Sequence, residues 1–371
     1  MSSPNSTFAI LLNVHKISIT QYRNYTFSSF DFKERVVGIC GMNGRGKTNL
    51  LDAVYYCCFT KSYFSKPDAM NVQFGADGFR IEADIVLNNE SQQVICINRG
   101  QGKKEFSLNG IAYEKFSQHI GKFPCVMIAP DDIELITGGS EERRKFIDTV
   151  LSQYNSEYLQ QLIIYGKVLQ QRNSLLKRFA ELGHTDWPLL EVLDEQMISP
   201  GNFIHQKRKE FAATLIPLVQ AFYQTIASAN SETITLQYES QLNEMDFNAL
   251  LNNYRQKDFI LQRSNAGTHK DDLLLQLDGK PFKTTASQGQ RKSLLFAMKL
   301  AEFEILKSRK GFAPLLLLDD GFEKLDNLRM NNLLNWVCNE NDGQVLITDT
   351  HRERLVASFQ ELKIDFGMIE L

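Results

Sequence analysis

The sequence predicts an α/β fold in which one nucleotide-binding sheet is split by a largely helical insertion, and three observations predict it. An apolar run, Val36-Val37-Gly38-Ile39-Cys40, feeds directly into Gly41-Met42-Asn43-Gly44-Arg45-Gly46-Lys47-Thr48, which fits the phosphate-loop pattern G-x-x-x-x-G-K-[ST] in full. Four leucines, Leu315 to Leu318, read as a fully buried strand and end in Asp319-Asp320. Lys47 and Asp319 stand 272 positions apart (319 − 47), and from Glu141 the apolar residues between them recur at threes and fours. In a compact phosphate-loop domain the acidic strand follows soon after the loop. Residues 1–130 and 265–371 are therefore expected to form the nucleotide-binding lobe, and 131–264 a second, helical lobe.

The first third reads as strands and turns. Ile17 to Thr20 alternates, Arg35 to Cys40 is a short apolar run, and Phe79 to Val86 alternates again. Asn88-Asn89 separates that run from Gln93 to Ile97, and Asn109-Gly110 is a hairpin signal, so 75–115 should be an antiparallel meander. The helical period then places Ile147, Val150, Leu151, Tyr154, Tyr158, Leu162, Tyr165 and Leu169 on one stripe, which Gly183 and Pro188 interrupt. A second helical stretch, expected to be broken at Pro200 and Pro217, carries Phe211, Leu215, Val219, Phe222 and Ile226 on one face. No heptad pattern is sustained, so no long coiled coil is encoded. Short strands return at Leu273 to Leu277, Leu315 to Leu318 and Gln344 to Thr348.

Of 371 residues, 43% are hydrophobic and 23% charged, the balance of a globular chain rather than a disordered one. Lys+Arg number 41 against 44 Asp+Glu, a formal charge of -3, which excludes a wholly basic nucleic-acid coat and leaves DNA contact to local patches. Apolar runs fall far short of the roughly 20 residues a bilayer span needs, and Phe8 to Leu12 is too short, with no basic region before it, for a signal peptide. A cytoplasmic protein with no membrane partner is expected. None of the six cysteines forms a C-x-x-C pair or has histidines at zinc-finger spacing, and several sit in apolar runs, as reduced core residues do.

The chemistry follows from the loop. Its glycines allow the backbone to turn with positive φ and bring N–H groups against phosphate oxygens, while the helix that starts at Thr48-Asn49 aims its N-terminus at the same anion. Lys47 suits the β- and γ-phosphates, and the Thr48 hydroxyl suits Mg²⁺. Asp319 suits the metal through water, and Asp320 is placed to orient or deprotonate an attacking water. Asp-Asp pairs also cap helices and begin turns. Upstream, Ser287-Gln288-Gly289-Gln290 opens a helix expected over Lys292 to Leu306, a second anion site. One γ-phosphate does not need two helix N-termini from a single chain, so the economical reading is that Ser287, Gly289 and Gln290 close over ATP held by another subunit. A plain N-cap serine fits locally just as well.

Taken together the motifs resemble the ABC-type ATPases of the SMC/Rad50 group, most closely the RecF family of bacterial recombination mediators. Gln21-Tyr22-Arg23-Asn24-Tyr25 is similar to that family's N-F-R-N-Y segment. Ala129-Pro130-Asp131-Asp132 and Arg143-Arg144-Lys145-Phe146-Ile147-Asp148 are similar to its P-E-D and R-R-x-F-L-D segments. Tyr165 to Asn173 resembles Y-x-K-x-L-x-Q-R-N, and His269-Lys270-Asp271-Asp272 resembles H-R-D-D. The resemblance implies an ABC/Rad50-like ATPase head with a helical inserted lobe, ATP and Mg²⁺ as cofactors, and an ATP-dependent homodimer. It further implies binding of single-stranded and gapped duplex DNA and action with RecR and RecO to load RecA recombinase. Where the family carries S-E-L-D this chain has Glu323-Lys324-Leu325-Asp326, leaving Asp326 as the subunit-contacting residue. His351 follows the last strand where ABC ATPases carry a switch histidine; sensing the γ-phosphate and capping a helix are both open to it. Asp320 stands where most of these ATPases use Glu, one methylene longer, which suggests slow hydrolysis; the resemblance implies that DNA stimulates it.

Candidate DNA contacts are Arg143, Arg144 and Lys145, then Arg172, Lys177 and Arg178, then Lys207, Arg208 and Lys209; for any single one a solvated helix face, or pairing with Glu141 and Glu142, is the favoured account. Two rival classes stand beside this reading: the ATP-binding subunit of a transporter, which would lack the His269 to Asp272 segment, and a non-hydrolysing scaffold whose ATP only locks a dimer.

Overall fold

The computed structural model describes residues 12–65, 67–100, 103–182, 185–227, 233–320 and 327–371. In chain order the elements are β1 (Leu12–Tyr22), β2 (Tyr25–Asp31), β3 (Val36–Cys40), α1 (Lys47–Phe59), β4 (Phe79–Leu87), β5 (Glu90–Arg99), β6 (Lys103–Leu108), β7 (Ile111–Ala112) and β8 (Cys125–Ile128). Then come α2 (Glu134–Thr137), α3 (Ser140–Tyr154), α4 (Ser156–Leu182), α5 (Trp187–Ala227), β9 (Ile234–Glu239), α6 (Phe247–Leu261), β10 (Asp272–Leu277), β11 (Lys280–Pro281) and α7 (Phe282–Thr285). The chain finishes with α8 (Gln288–Lys310), β12 (Leu315–Leu318), α9 (Asn327–Asn335), β13 (Val345–Asp349), α10 (Arg352–Glu361) and β14 (Phe366–Glu370). Two compact units result: 1–132 with 222–228 and 296–371, and 133–221 with 229–295.

The first unit holds two sheets. The meander expected at 75–115 is part of a six-stranded antiparallel sheet, β2-β1-β4-β5-β6-β7. The second sheet is parallel, β14-β3-β13-β12-β8, and its inner strands β3, β13 and β12 are buried on both faces, which is why they read as continuous apolar runs. In α1, 11 of 13 residues are buried, and its apolar side chains join those of both sheets in a single core. The parallel order matters for chemistry. β13 lies between β3, which feeds the phosphate loop, and β12, which ends in the acidic pair. Register aligns Leu318 with Ile128 and Ile347, and Asp349 with Cys40, so four strand ends finish at one edge, where ligands bind in open parallel sheets.

The second unit is mainly helical, with a small antiparallel sheet β11-β10-β9. Pairing of β10 with β9 explains why 265–295, placed with the nucleotide-binding lobe by the sequence, clusters here instead. The single stripe expected from Ile147 to Leu169 is two helices. Asn155 ends α3 in extended conformation and its Oδ1 accepts the Tyr158 N–H at 2.9 Å, capping α4. Nor do the prolines break α5: Pro200 and Pro217 both lie inside a continuous 41-residue helix. Each costs roughly 3 kcal/mol. Against that stand Met197, Ile204, Phe211, Leu215 and Val219, all buried, each worth about 1.5–3 kcal/mol. Gly183 lies outside the described residues.

One buried histidine, His119, and one half-buried, His269, give the fold a pH dependence. His119 Nε2 lies 2.7 Å from the Cys57 carbonyl, and His269 Nε2 lies 3.1 Å from that of Ser264. Burial lowers both to about 4. Between the unfolded value near 6.5 and pH 4 the unfolded chain binds more protons, so their contribution to stability is lost as pH falls through that window. Glu302, buried beside Lys299 and raised to about 7 by burial, acts oppositely, its contribution falling as pH rises toward 7. Replacing one histidine removes its share, so between about pH 6.5 and 4.5 the thermal midpoint of the native protein should fall relative to that of His119→Gln. A difference between the two midpoints that stays constant across this range would contradict the assignment.

Candidate nucleotide-binding site

The loop between β3 and α1 is built as an anion cradle. Gly46 occupies the N-cap of α1 at φ 109°, and Gly44 stands at φ 83°, both in the region that favours glycine. A Cβ on Gly46 would meet Asn24 Nδ2 at 2.7 Å and the Tyr25 hydroxyl at 2.8 Å. Those two side chains hold the loop from outside: Asn24 Nδ2 donates to the Arg45 carbonyl at 3.0 Å and Tyr25 to that of Gly46 at 3.1 Å. Lys47 is buried and its Nζ donates to the Gly41 carbonyl at 2.8 Å. Met42, Asn43, Gly44 and Arg45 are exposed, and the first turn of α1 carries no acidic residue.

Behind the loop, Asp52 anchors α1. It is fully buried, accepts from Tyr22 at 2.6 Å, Ser62 at 2.8 Å and the Tyr63 N–H at 2.8 Å, and pairs with Arg23 at 2.9 Å. Arg23 also reaches Asn49, Ser65 and Asn71. The sequence pattern alone gives Arg23, Asn24 and Tyr25 no role. The signal it does hold is Asp52 itself, a carboxylate in the apolar run Leu50 to Phe59, which demands a buried partner.

The acidic pair meets the loop directly. Thr48 Oγ1 donates to Asp319 at 2.8 and 3.0 Å, and Thr348 Oγ1 to Asp319 Oδ1 at 2.9 Å. Burial pushes the Asp319 carboxyl above its ordinary value, while the Thr48 and Thr348 hydroxyls pull it back. Hydroxyl and carboxylate oxygens are the ligands Mg²⁺ takes. A carboxylate held by hydroxyls at only 3% exposure gains most from a cation, so the residues fit the metal. Asp320 is half-buried with φ 42°. His351 is exposed at the N-cap of α10, with no capping bond from its side chain. Asp326 lies outside the described residues.

Ser287 precedes α8, which starts earlier and ends later than expected, and it lies in the second unit. Its N–H donates to Gln290 Oε1 at 2.6 Å and its Oγ accepts the Gln290 N–H at 3.3 Å, a reciprocal capping box, with Gly289 between them in the first turn.

Four of the nine basic candidates, all arginines, turn inward. Arg172 is withdrawn as a DNA contact: it is fully buried, bonded to Asp194 and Asp258 at 2.6 Å each and to Ser264 at 2.8 Å. Arg143 holds Asp272 through two bonds of 2.6 and 3.0 Å, and Arg144 donates to the Asp271 carbonyl at 2.6 Å. Arg208 is buried on Asp148 and Asp271. Lys145 stays 64% exposed beside Glu142, and Lys177, Arg178 and Lys209 are exposed. The motifs resembling R-R-x-F-L-D and H-R-D-D thus converge on one polar core in the second unit.

Residues 13–366 match the family model of the RecF/RecN/SMC N terminal domain. The DNA replication and repair protein RecF of Flavobacterium johnsoniae is 45% identical over 348 residues, 93% of this chain and 96% of that one. The chain belongs to the RecF family. The namesake protein of Phocaeicola vulgatus is 41% identical over 95% of this chain and 94% of its own. A solved structure of the recombination mediator RecF with ATP, from the RecFOR pathway, superposes with a TM-score of 0.85 at 26% identity, covering 95% of both chains. An Smc head domain from Pyrococcus furiosus shares the fold alone, at a TM-score of 0.55 and 17% identity. The expected ABC-type ATPase head with a helical inserted lobe is therefore the fold of this chain, as it is of the RecF family. Among the described residues, no helix is long and apolar enough to cross a membrane.

Proposed function

We propose that this chain is an ATP-dependent, DNA-binding recombination mediator that acts in replication and repair of gapped DNA. The observation that carries the reading is the 2.8 Å contact between Thr48, at the start of the phosphate-loop helix, and Asp319, at the end of the acidic strand. It joins both halves of an ATP site within one unit, although 271 residues separate them. Gly41 to Thr48 receive the phosphates through backbone N–H groups, and Lys47 neutralises the charge that builds on them during transfer. Thr48 and Asp319 hold Mg²⁺, which offsets phosphate charge when bound. Asp320 orients the attacking water and takes its proton. Ser287, Gly289 and Gln290 complete the site of a second copy, so ATP closes a homodimer, with Asp326 at the subunit contact and His351 near the γ-phosphate.

The relatives' names support a role in DNA replication and repair. That the ATP-bound relative is a mediator of the RecFOR pathway supports placement beside RecO and RecR in loading RecA in the cytoplasm. Binding to single-stranded and gapped duplex DNA rests on exposed cations such as Lys145, with Arg143 and Arg144 reduced to half-buried supports. The family match over nearly the whole chain disfavours a transporter subunit.

ATP hydrolysis per subunit, followed against protein concentration with and without gapped duplex DNA, tests the reading. The rate should climb with concentration and again with DNA. A rate indifferent to both would remove the dimer and the DNA response together. Ser287→Arg should abolish ATP-dependent dimerisation in sedimentation while the monomer still binds ATP; normal dimers in that variant would refute the shared site.

A further inference from the structure

Thr348 lies near the end of β13 with its side chain fully buried. Its Oγ1 accepts the Asp320 N–H at 2.9 Å and donates to Asp319 Oδ1 at 2.9 Å. A hydroxyl has one proton and two lone pairs, so both bonds form at once, and the Leu318 carbonyl at 3.5 Å is too distant to compete for the proton. One side chain from the middle strand therefore touches both residues of the acidic pair.

Asp320 is the place where that matters. At φ 42° it adopts a left-handed conformation that non-glycine residues avoid. Such a conformation persists only where the surroundings enforce it, and it recurs where a side chain must be aimed for function. The bond from its N–H to Thr348 fixes the peptide plane that sets the direction of the Asp320 side chain. Because the same hydroxyl holds Asp319, which also accepts from Thr48, a continuous chain of hydrogen bonds runs from the phosphate-loop helix through Asp319 and Thr348 to Asp320.

We infer that Thr348 is a positioning residue for ATP hydrolysis, presetting the backbone of Asp320 and orienting Asp319 from β13. The inference rests on the reading of Asp320 as the residue that orients water. A merely structural threonine would satisfy the same bonds, so the test must separate the two.

The full chain would be assayed for kcat and KM for ATP with gapped DNA, and for its thermal midpoint, as Thr348→Val, Thr348→Ser, Asp320→Asn and Asp320→Asn/Thr348→Val. Thr348→Val should lower kcat roughly 10- to 100-fold, the scale of a misaimed reacting group, with KM within about twofold. Serine, which keeps the hydroxyl, should restore turnover to within about twofold of the native rate. Because part of the effect of Thr348 passes through Asp320, valine added to Asp320→Asn should cost less than valine costs the native protein. Unchanged kcat in Thr348→Val overturns the inference, as does a fall in kcat, KM and thermal midpoint together that serine does not rescue, or a loss that adds in full to that of Asp320→Asn. Should valine prevent folding, Thr348→Ala gives the same readout in a smaller volume. Wild-type turnover in Asp320→Asn would sink the catalytic reading of Asp320 and this inference with it; an inert Asp320→Asn beside an unaffected Thr348→Val would sink the inference alone.

Discussion

Arg208→Ala should loosen the second unit enough to open its helices to solvent at room temperature. Arg208 is buried and its guanidinium donates to Asp148 at 3.0 Å, to Asp271 at 2.8 Å and to the Thr268 carbonyl at 2.6 Å. Burial alone would disfavour its charge, but Asp148, Tyr158 and Asp271 more than offset this and hold its pKa above the ordinary guanidinium value. Alanine removes the cation that these two carboxylates share, and one of them, Asp271, is fully buried. Breaking a buried pair in this way costs about 3–5 kcal/mol. Whole domains are stable by about 5–15 kcal/mol, so the loss is a large share of what holds the unit together. Lys209→Ala, one residue on and exposed, should shift stability by less than about 0.5 kcal/mol. Amide hydrogen exchange is the decisive readout. Fast exchange in α3, α4 and β10 of Arg208→Ala is expected, and native protection there would show that the network contributes little.

Lys47→Ala should cut ATP turnover by about 10²–10³-fold, the order seen when one group stabilising transition-state charge is removed. The ammonium sits inside the loop at the Gly41 carbonyl, so it is aimed at the space where the phosphates arrive and costs little reorganisation to use. Lys47→Arg should fail nearly as badly despite keeping the charge. A guanidinium is a broad planar fork, and the buried Lys47 position has room for a compact point charge. Phosphate release, measured in both variants alongside ATP binding, checks this. Turnover of Lys47→Ala within about threefold of the native rate would mean that the loop binds without taking part in the chemistry.

Much of the candidate nucleotide site was legible because its signals are local. A strand, a glycine turn and a helix start follow one another within Val36 to Val54, and a strand of leucines ending in two aspartates declares itself without its neighbours. The resemblance to RecF proteins was legible for the same reason. What escaped depends on residues distant in the chain. Arg143 and Arg172 looked like surface cations because their partners, Asp272 and Asp258, lie 129 and 86 positions away. Thr348 carries no signal of its own, since its role is set by β13 lying between β3 and β12. The prolines of α5 misled for a different reason: local propensity argues for a break, and a long buried face overrides it.

All six cysteines are buried. Burial pushes the Cys40 thiol up to about 11 and those of Cys96 and Cys338 to about 12, so at neutral pH they are protonated as well as shielded. The native chain therefore offers almost no background to thiol-directed probes. One new surface thiol, as in Lys145→Cys, would carry a single fluorophore or spin label without first stripping the natural cysteines. Distances between labelled copies can then be sought with and without ATP in an otherwise unaltered molecule.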